Sequence, residues 1–215
     1  MTTRILASVG LFILAAAVPL HAEPGITSHD PVDMPAGVWM IDPTHASVTV
    51  RLSHLGFSFY TMRFDKIAAQ FDYDPAHPEH AHVSARIDPA SASTGQPALD
   101  KELAQEAWFD AVHGKAITFT SRSIDPGDGH HGMMAGDLTM RGVTRPVTFA
   151  VTFNGTGTGF GLPTPRAGFS ASTVIRKSEF GMTKYAALLG DEVTLQIEAE
   201  FLRGPVATSA GGKGQ

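Results

Sequence analysis

There is no cysteine among the 215 residues. That excludes a disulfide framework, a thiolate metal centre and a cysteine nucleophile, and leaves the core alone to stabilise the fold. Polar aromatics are scarce as well. Three Tyr and two Trp stand against thirteen Phe, so an aromatic lining would carry few groups that need hydrogen-bond partners. Basic residues form no block. Sixteen Lys/Arg and twenty-one Asp/Glu are scattered along the chain for a net charge of −5, which argues against a nucleic-acid partner. Long apolar runs are absent except at the start, where Arg4 precedes the stretch Ile5 to Leu20 and then His21-Ala22. This is the layout of a secretory signal peptide, and the run is shorter than the roughly 20 residues a membrane span needs. The expected division is a signal peptide over residues 1–22, a flexible linker over 23–36, one domain over 37–203 and a flexible tail over 204–215.

What is present in quantity is alternation with period two. Val48, Val50 and Leu52 alternate with polar neighbours, as do Ile67, Ala69 and Phe71, then Val83, Ala85 and Ile87, and finally Val193 to Phe201. Weaker alternation runs through Ile117–Ser121, Met134–Met140, Val147–Phe153 and Ala167–Ile175. With the aromatic run Phe57–Phe64 this makes about nine strand candidates, each burying one face. Five Asp-Pro pairs, beginning at Asp30, Asp42, Asp74, Asp88 and Asp125, punctuate the strands, because Pro interrupts a ladder and Asp caps a turn. Asp125 to Gly129 reads as a hairpin loop, and Asn154 to Pro165 as a Gly/Thr/Pro loop. One segment has a different period. Leu99, Leu103 and Ala107 lie four apart among charged residues, which predicts a short amphipathic helix over Pro97–Asp110. Antiparallel strands with one helix form either a packed sandwich or a closed barrel; periodicity alone leaves both open.

Particular residues go further. Trp39 to Val48 (WMIDPTHASV), His54-Leu55-Gly56-Phe57 with Arg63-Phe64, Ala107-Trp108-Phe109-Asp110, Ile117-Thr118-Phe119, Gly136 to Val147, Arg166 to Phe169, Ser178 to Gly181 and Leu189 to Val193 occur in this order. Together they resemble the YceI-like family of secreted lipid-binding barrels over about Val38 to Phe201. The resemblance implies an all-β fold, a lipocalin-like eight-stranded antiparallel barrel with one short α-helix beside it. It also implies a periplasmic location and an interior that holds a polyisoprenoid or similar long-chain amphiphile, of quinone or polyprenyl-phosphate type. Two departures stand out. His113-Gly114-Lys115-Ala116 occupies the place of a usual Tyr-Pro, and Lys177 that of a usual Arg.

The candidate lining of an apolar channel is Phe57, Phe59, Phe64, Phe71, Trp108, Phe119, Leu138, Phe149, Phe169, Phe180 and Met182. Burying one five-carbon isoprene unit contributes about 4 kcal/mol, at ~0.8 per carbon. Three units, roughly 12 kcal/mol, match the ~4–15 kcal/mol cost of association. Cations for a polar head group would come from Arg63, Arg141, Arg145, Arg166 and Lys177, near predicted turns, with Arg176 and Lys184 beside them. Two histidine stretches, His77 to His82 with His80 and His82 on one face of the coming strand, and His130-His131 with Met133-Met134, show no third ligand at firm spacing, so no metal is expected. His45 or His54 beside Asp42 or Asp65 is the nearest thing to an acid–base pair, and a structural role is the expectation; no catalytic residue is assigned. The expected partner is a hydrophobic long-chain small molecule without any further cofactor, with transient contact to a membrane or membrane protein, in a monomer or homodimer. A lipid carrier, store or sensor is thus the leading reading; the alternatives are an accessory to quinone electron transfer and a His-dependent metal protein or hydrolase.

Overall fold

The computed structural model describes residue 25, residues 27–158 and residues 163–204. The expected signal segment and the tail beyond residue 204 lie outside these residues. Ten strands form: β1 (Gly37–His54), β2 (Ser58–Phe64), β3 (Ile67–Tyr73), β4 (His82–Ile87), β5 (Ala92–Ser93), β6 (Ile117–Asp125), β7 (His131–Met140), β8 (Val143–Thr158), β9 (Pro165–Arg176) and β10 (Leu189–Arg203), with one helix, α1 (Pro97–Leu103). Nine of them coincide with the eight period-two segments and the aromatic run Phe57–Phe64, and the two-residue β5 is the addition.

All pairings are antiparallel, in the order β10-β9-β8-β7-β6-β4-β3-β1-β2-β5. The ladder closes through a seam between β1 and β10 that runs from Trp39 opposite Arg203 to His54 opposite Leu189. On its other side β1 pairs with β3 near its start and with β2 near its end. β2 and β3 therefore act as one bent stave. The barrel has eight staves, and closure removes the exposed edges that an open sheet would present. Near the β7–β8 turn, Arg141 and Gly142 both take positive φ, 57° and 79°, as a two-residue primed turn requires.

Three sequence expectations need correction. β1 passes straight through Asp42-Pro43, where the register shifts between Ile41 and Ala46. The bulge absorbs the missing proline N–H, and the Asp42 carboxylate accepts from the Thr44 N–H at 3.0 Å and its hydroxyl at 2.6 Å. β8 likewise continues through Gly155 to Thr158, so the expected loop from Asn154 is strand for its first third. Residues 27–36, expected as a flexible linker, pack on one end of the barrel. Ser28 bridges to Thr156, Pro31–Asp33 forms a 3-10 turn capped by Asp30, and Met34 is fully buried.

The interior divides into two cores. At the end closed by residues 27–36, Met34, Trp39, Phe71, Phe153, Phe169 and Phe201 pack together. Their rings meet edge-on or stacked at 4.9–6.2 Å between centroids, which fills that half as a solid plug. The larger core, built on Val48, Val50, Met62, Phe64, Phe119, Leu138, Phe149 and Phe180 among others, occupies the opposite half. Gly136 is part of its wall. A Cβ there would stand 2.5 Å from the Phe119 ring, so only glycine lets that ring lie across β7.

Candidate ligand-binding cavity

The two halves differ in how completely they are filled. The larger core contains a cavity of about 100 Å³, in the half of the barrel where β1 meets β2, β7 meets β8 and β9 meets β10. Strands supply most of the wall through Val48, Val50, Met62, Phe64, Leu138, Ile175, Val193 and Leu195. All are inward-facing positions that the period-two pattern selects.

One side of the wall is not sheet. From Ser58 to Met62, β2 pairs with β1 only; β5 covers just Arg63 and Phe64. The gap between β2 and β6 is filled by α1 and the turns after it, which send Leu103, Trp108 and Phe109 into the cavity wall. Phe109 packs edge-on against Phe64 at 5.1 Å. This explains why α1 stops at Leu103 instead of running to Asp110. A continued helix would bury Ala107, whereas the turn leaves Ala107 exposed and buries Trp108 and Phe109, each with ~150–250 Å² of surface. Asp110, at φ 57°, completes the turn.

Polar ties hold this cover down. The Arg141 guanidinium donates to the carbonyls of Glu106 and Trp108. Trp108 Nε1 donates to Glu102 at 3.2 Å, and Lys184 Nζ reaches the same carboxylate at 2.8 Å. Asp110 accepts from Lys115 Nζ at 2.8 Å and from His113. These bonds, led by Lys115, hold its carboxyl below the usual range. Through these bonds Lys115 and His113 anchor the helix exit.

Lys177 is the one charged residue in the wall. It is 4% exposed, makes no ion pair among the described residues, and its Nζ donates only a long bond of 3.4 Å to the Met182 carbonyl. Asp191, close enough to sense its charge, is occupied by the Ser178 hydroxyl at 2.7 Å and N–H at 2.9 Å, which lower its pKa. An ammonium beside an apolar space with one long hydrogen bond retains donor capacity for a further acceptor.

The expected lining residues fall into four groups. Phe64, Trp108, Leu138 and Met182 are in the cavity wall. Phe119, Phe149 and Phe180 are buried in the same core behind it, while Phe71 and Phe169 belong to the plug at the other end. Phe57 and Phe59 are corrections: they are 90% and 57% exposed on the outside of the barrel. Parity carried that signal, since Phe59 and Phe64 are five apart and cannot share a face. The aliphatic wall positions Val48, Val50, Val193 and Leu195 carry the same inward parity, which selects them as well as any Phe.

Among the expected head-group cations, only Lys177 faces the cavity. Arg141 is spent on the cover. Arg63 pairs with Asp65 at 2.7 Å on the surface, and Arg145 bonds the Thr144 carbonyl at 3.0 Å. Arg166 lies at the plugged end, bridging Asp42 at 3.0 Å and Glu200 at 2.7 Å. His45 does pair with Asp42, at 3.0 Å, but within this structural network. Hydrogen bonds led by that from the Thr44 hydroxyl hold the Asp42 carboxyl far below the ordinary carboxylate range. His54 packs near Tyr60 instead.

The histidines gain a third neighbour that the sequence did not reveal. On the turn before β4, His77 and His80 stack at 5.3 Å and both face Glu79, at 3.5 and 3.8 Å. All three are exposed, and no second hydrogen bond orients either ring, the support that metal-binding imidazoles usually have. Asp42, His45 and Glu200 also converge, with the Arg166 guanidinium bonded to both carboxylates where a cation would have to enter.

Comparison with known proteins agrees with this architecture. A UPF0312 protein of Pseudomonas fluorescens is 34% identical over 168 residues, spanning 74% of this chain and 82% of its own. The crystal structure of BcnA from Burkholderia cenocepacia superposes with a TM-score of 0.67 at 26% identity, covering 74% of this chain and 98% of that one. A polyisoprenoid-binding domain from Saccharophagus degradans shares the fold, with a TM-score of 0.58, 14% identity and coverage of 77% and 98%. The YceI-like domain model matches residues 39–201; with the closed eight-stave barrel and the relatives above, this makes the chain a member of the YceI-like family.

Proposed function

We propose that the protein binds a long-chain amphiphile, its apolar tail in the barrel and its polar acceptor on Lys177, and that it acts by binding and not by catalysis. The observation that carries this reading is the cavity itself: an apolar space whose one charged lining residue among those described is a buried lysine holding a single long hydrogen bond. A polyisoprenoid tail is the chemistry favoured, with quinone or polyprenyl-phosphate heads as acceptors. The fold shared with the polyisoprenoid-binding domain supports this choice. The layout of residues 1–22 supports export, and the proposed location is the periplasm.

At about 100 Å³ the cavity is smaller than the ~150 Å³ that accommodates one benzene, and well below the ~300–1,000 Å³ typical of ligand pockets. A long tail therefore requires enlargement. The wall made of Leu103, Trp108 and Phe109 is the part that can yield, because it is held by side-chain bonds and not by a sheet ladder. Opening there joins the cavity to solvent without breaking a strand.

Mass spectrometry of an organic extract of natively expressed protein tests the reading. A prenyl or acyl amphiphile at about one per chain is expected, and binding of purified analogues should strengthen steeply with tail length. Affinity that ignores tail length would refute it.

A further inference from the structure

The cavity end of the barrel carries a second feature that lipid binding inside the barrel does not require. Leu55, Phe57, Phe59, Val112, Tyr185 and Leu188 are all exposed there, Phe57 at the tip of the β1–β2 turn. The exposed aromatic side chains of the described residues stand at this end, and none at the plugged end. They form a connected rim. The Leu55 N–H donates to the Leu188 carbonyl at 2.9 Å, and the Leu188 N–H to that of Tyr185 at 2.9 Å. The Tyr185 ring lies 6.0 Å from Trp108 in the cavity wall. Cations accompany the rim: Arg51 sits 3.4 Å over the Phe59 ring and Lys184 5.1 Å from Tyr185.

The charge of the whole molecule is polarised in the same sense. Residues 51–66, 86–117, 140–147 and 176–192, the strand ends and loops around the cavity, hold eleven Lys/Arg and nine Asp/Glu. The rest of the described chain holds three Lys/Arg and eleven Asp/Glu. An anionic surface attracts the first end and repels the second, which orients the protein before contact. Exposed apolar side chains rimmed by cations match the interfacial region of a bilayer, where apolar tips enter the headgroup boundary and cations meet lipid phosphates.

We propose that this rim docks the cavity end of the barrel on an anionic lipid bilayer, so that a tail passes between membrane and cavity without crossing water. The inference rests on the lipid-binding reading for its purpose and on the surface alone for its geometry. A purely protein partner is the competing occupant, and the two differ in what suffices for binding.

Flotation with protein-free vesicles decides the matter. The protein should float with phosphatidylcholine–phosphatidylglycerol vesicles, poorly with phosphatidylcholine alone, and less as salt rises toward about 1 M, where exposed charges are screened. Phe57→Ser with Leu188→Ser should reduce anionic-vesicle binding about tenfold or more, given the apolar surface withdrawn from the interface. The same variant should still quench Trp108 fluorescence normally with a short-tailed prenyl quinone in solution. Failure of the parent protein to float with anionic vesicles, equal flotation of the variant, or association only with vesicles carrying membrane proteins would overturn the docking proposal. Loss of prenyl-quinone binding by the parent with flotation intact would instead overturn the cavity reading and leave the docking face standing.

Discussion

Replacing Lys177 by Met separates the contribution of this residue to stability from its contribution to binding. The two side chains have similar length and the stem already lies in the apolar wall, so packing changes little. What disappears is an ammonium that is 4% exposed and holds only a 3.4 Å bond. Its desolvation is scarcely offset, and exchanging such a charge for apolar atoms is neutral or stabilising by about 1–3 kcal/mol. For a domain of this size that raises Tm by roughly 2–4 °C per kcal/mol. Binding should move the other way. A hydrogen bond from a charged donor contributes about 1.5–3 kcal/mol, so losing it weakens affinity by about tenfold to a hundredfold. Trp108 lies in the cavity wall and Trp39 is fully buried in the plug, so ligand-dependent quenching reports on Trp108 over a constant background. Thermal unfolding gives the stability arm. The expected pair is a more stable protein that binds less tightly, with Lys177→Arg partly restoring affinity. A Met variant that is destabilised, or that binds a headed amphiphile as well as the parent does, would refute the role assigned to Lys177.

Four further outcomes are expected. Val50→Trp fills the cavity and should abolish tail binding at an over-packing cost of about 1–3 kcal/mol, measured by the same fluorescence titration and by urea unfolding. Arg141→Ala releases the Glu106 and Trp108 carbonyls and should speed ligand dissociation about tenfold or more in stopped-flow displacement. Asp42, Asp110 and Asp191 all have folded-state pKa values below their unfolded ones. The unfolded chain therefore binds more protons, and the stability they contribute is complete above about pH 4 and lost as pH falls below it. Asp42→Asn should flatten that acid limb, cost about 3 kcal/mol at neutral pH, and leave ligand affinity unchanged, since Asp42 lies at the plugged end. Elemental analysis should find no tightly held metal; one zinc or copper per chain, lost in His77→Ala with His80→Ala, would contradict this.

The strands were legible because burying one face of a sheet imposes period two whatever the tertiary detail, and eight such segments, with the aromatic run Phe57–Phe64, became nine strands. The helix end was not, because local spacing favoured Ala107 while the fold gained more by burying Trp108 and Phe109. Asp42-Pro43 looked like a stop because a proline cannot donate to a ladder, but a bulge accommodates it. The cavity was half legible. Inward parity selects Val48, Val50 and Phe64 correctly, but nothing local tells Phe71 or Phe169 that their half of the barrel is plugged. That depends on Met34 and Trp39 arriving from far along the chain. Lys177 was visible as a cation beside a predicted turn; its burial was not. Glu79 escaped as a third neighbour of His77 and His80 because only the 3-10 turn after His77 brings the three side chains together.

The seam between β1 and β10 joins the two ends of the domain, down to the Gly204 N–H bonded to the Val38 carbonyl at 2.8 Å. Neither half of that ladder exists until some 150 residues of intervening chain are available, so its loop-closure entropy is met late and all at once. Such a topology has high contact order and folds in milliseconds to seconds, not microseconds. A nascent chain emerging from its N-terminus cannot complete the barrel before β10 appears. Until then β1 lacks the partner that becomes its longest ladder, and the polypeptide remains threadable from end to end.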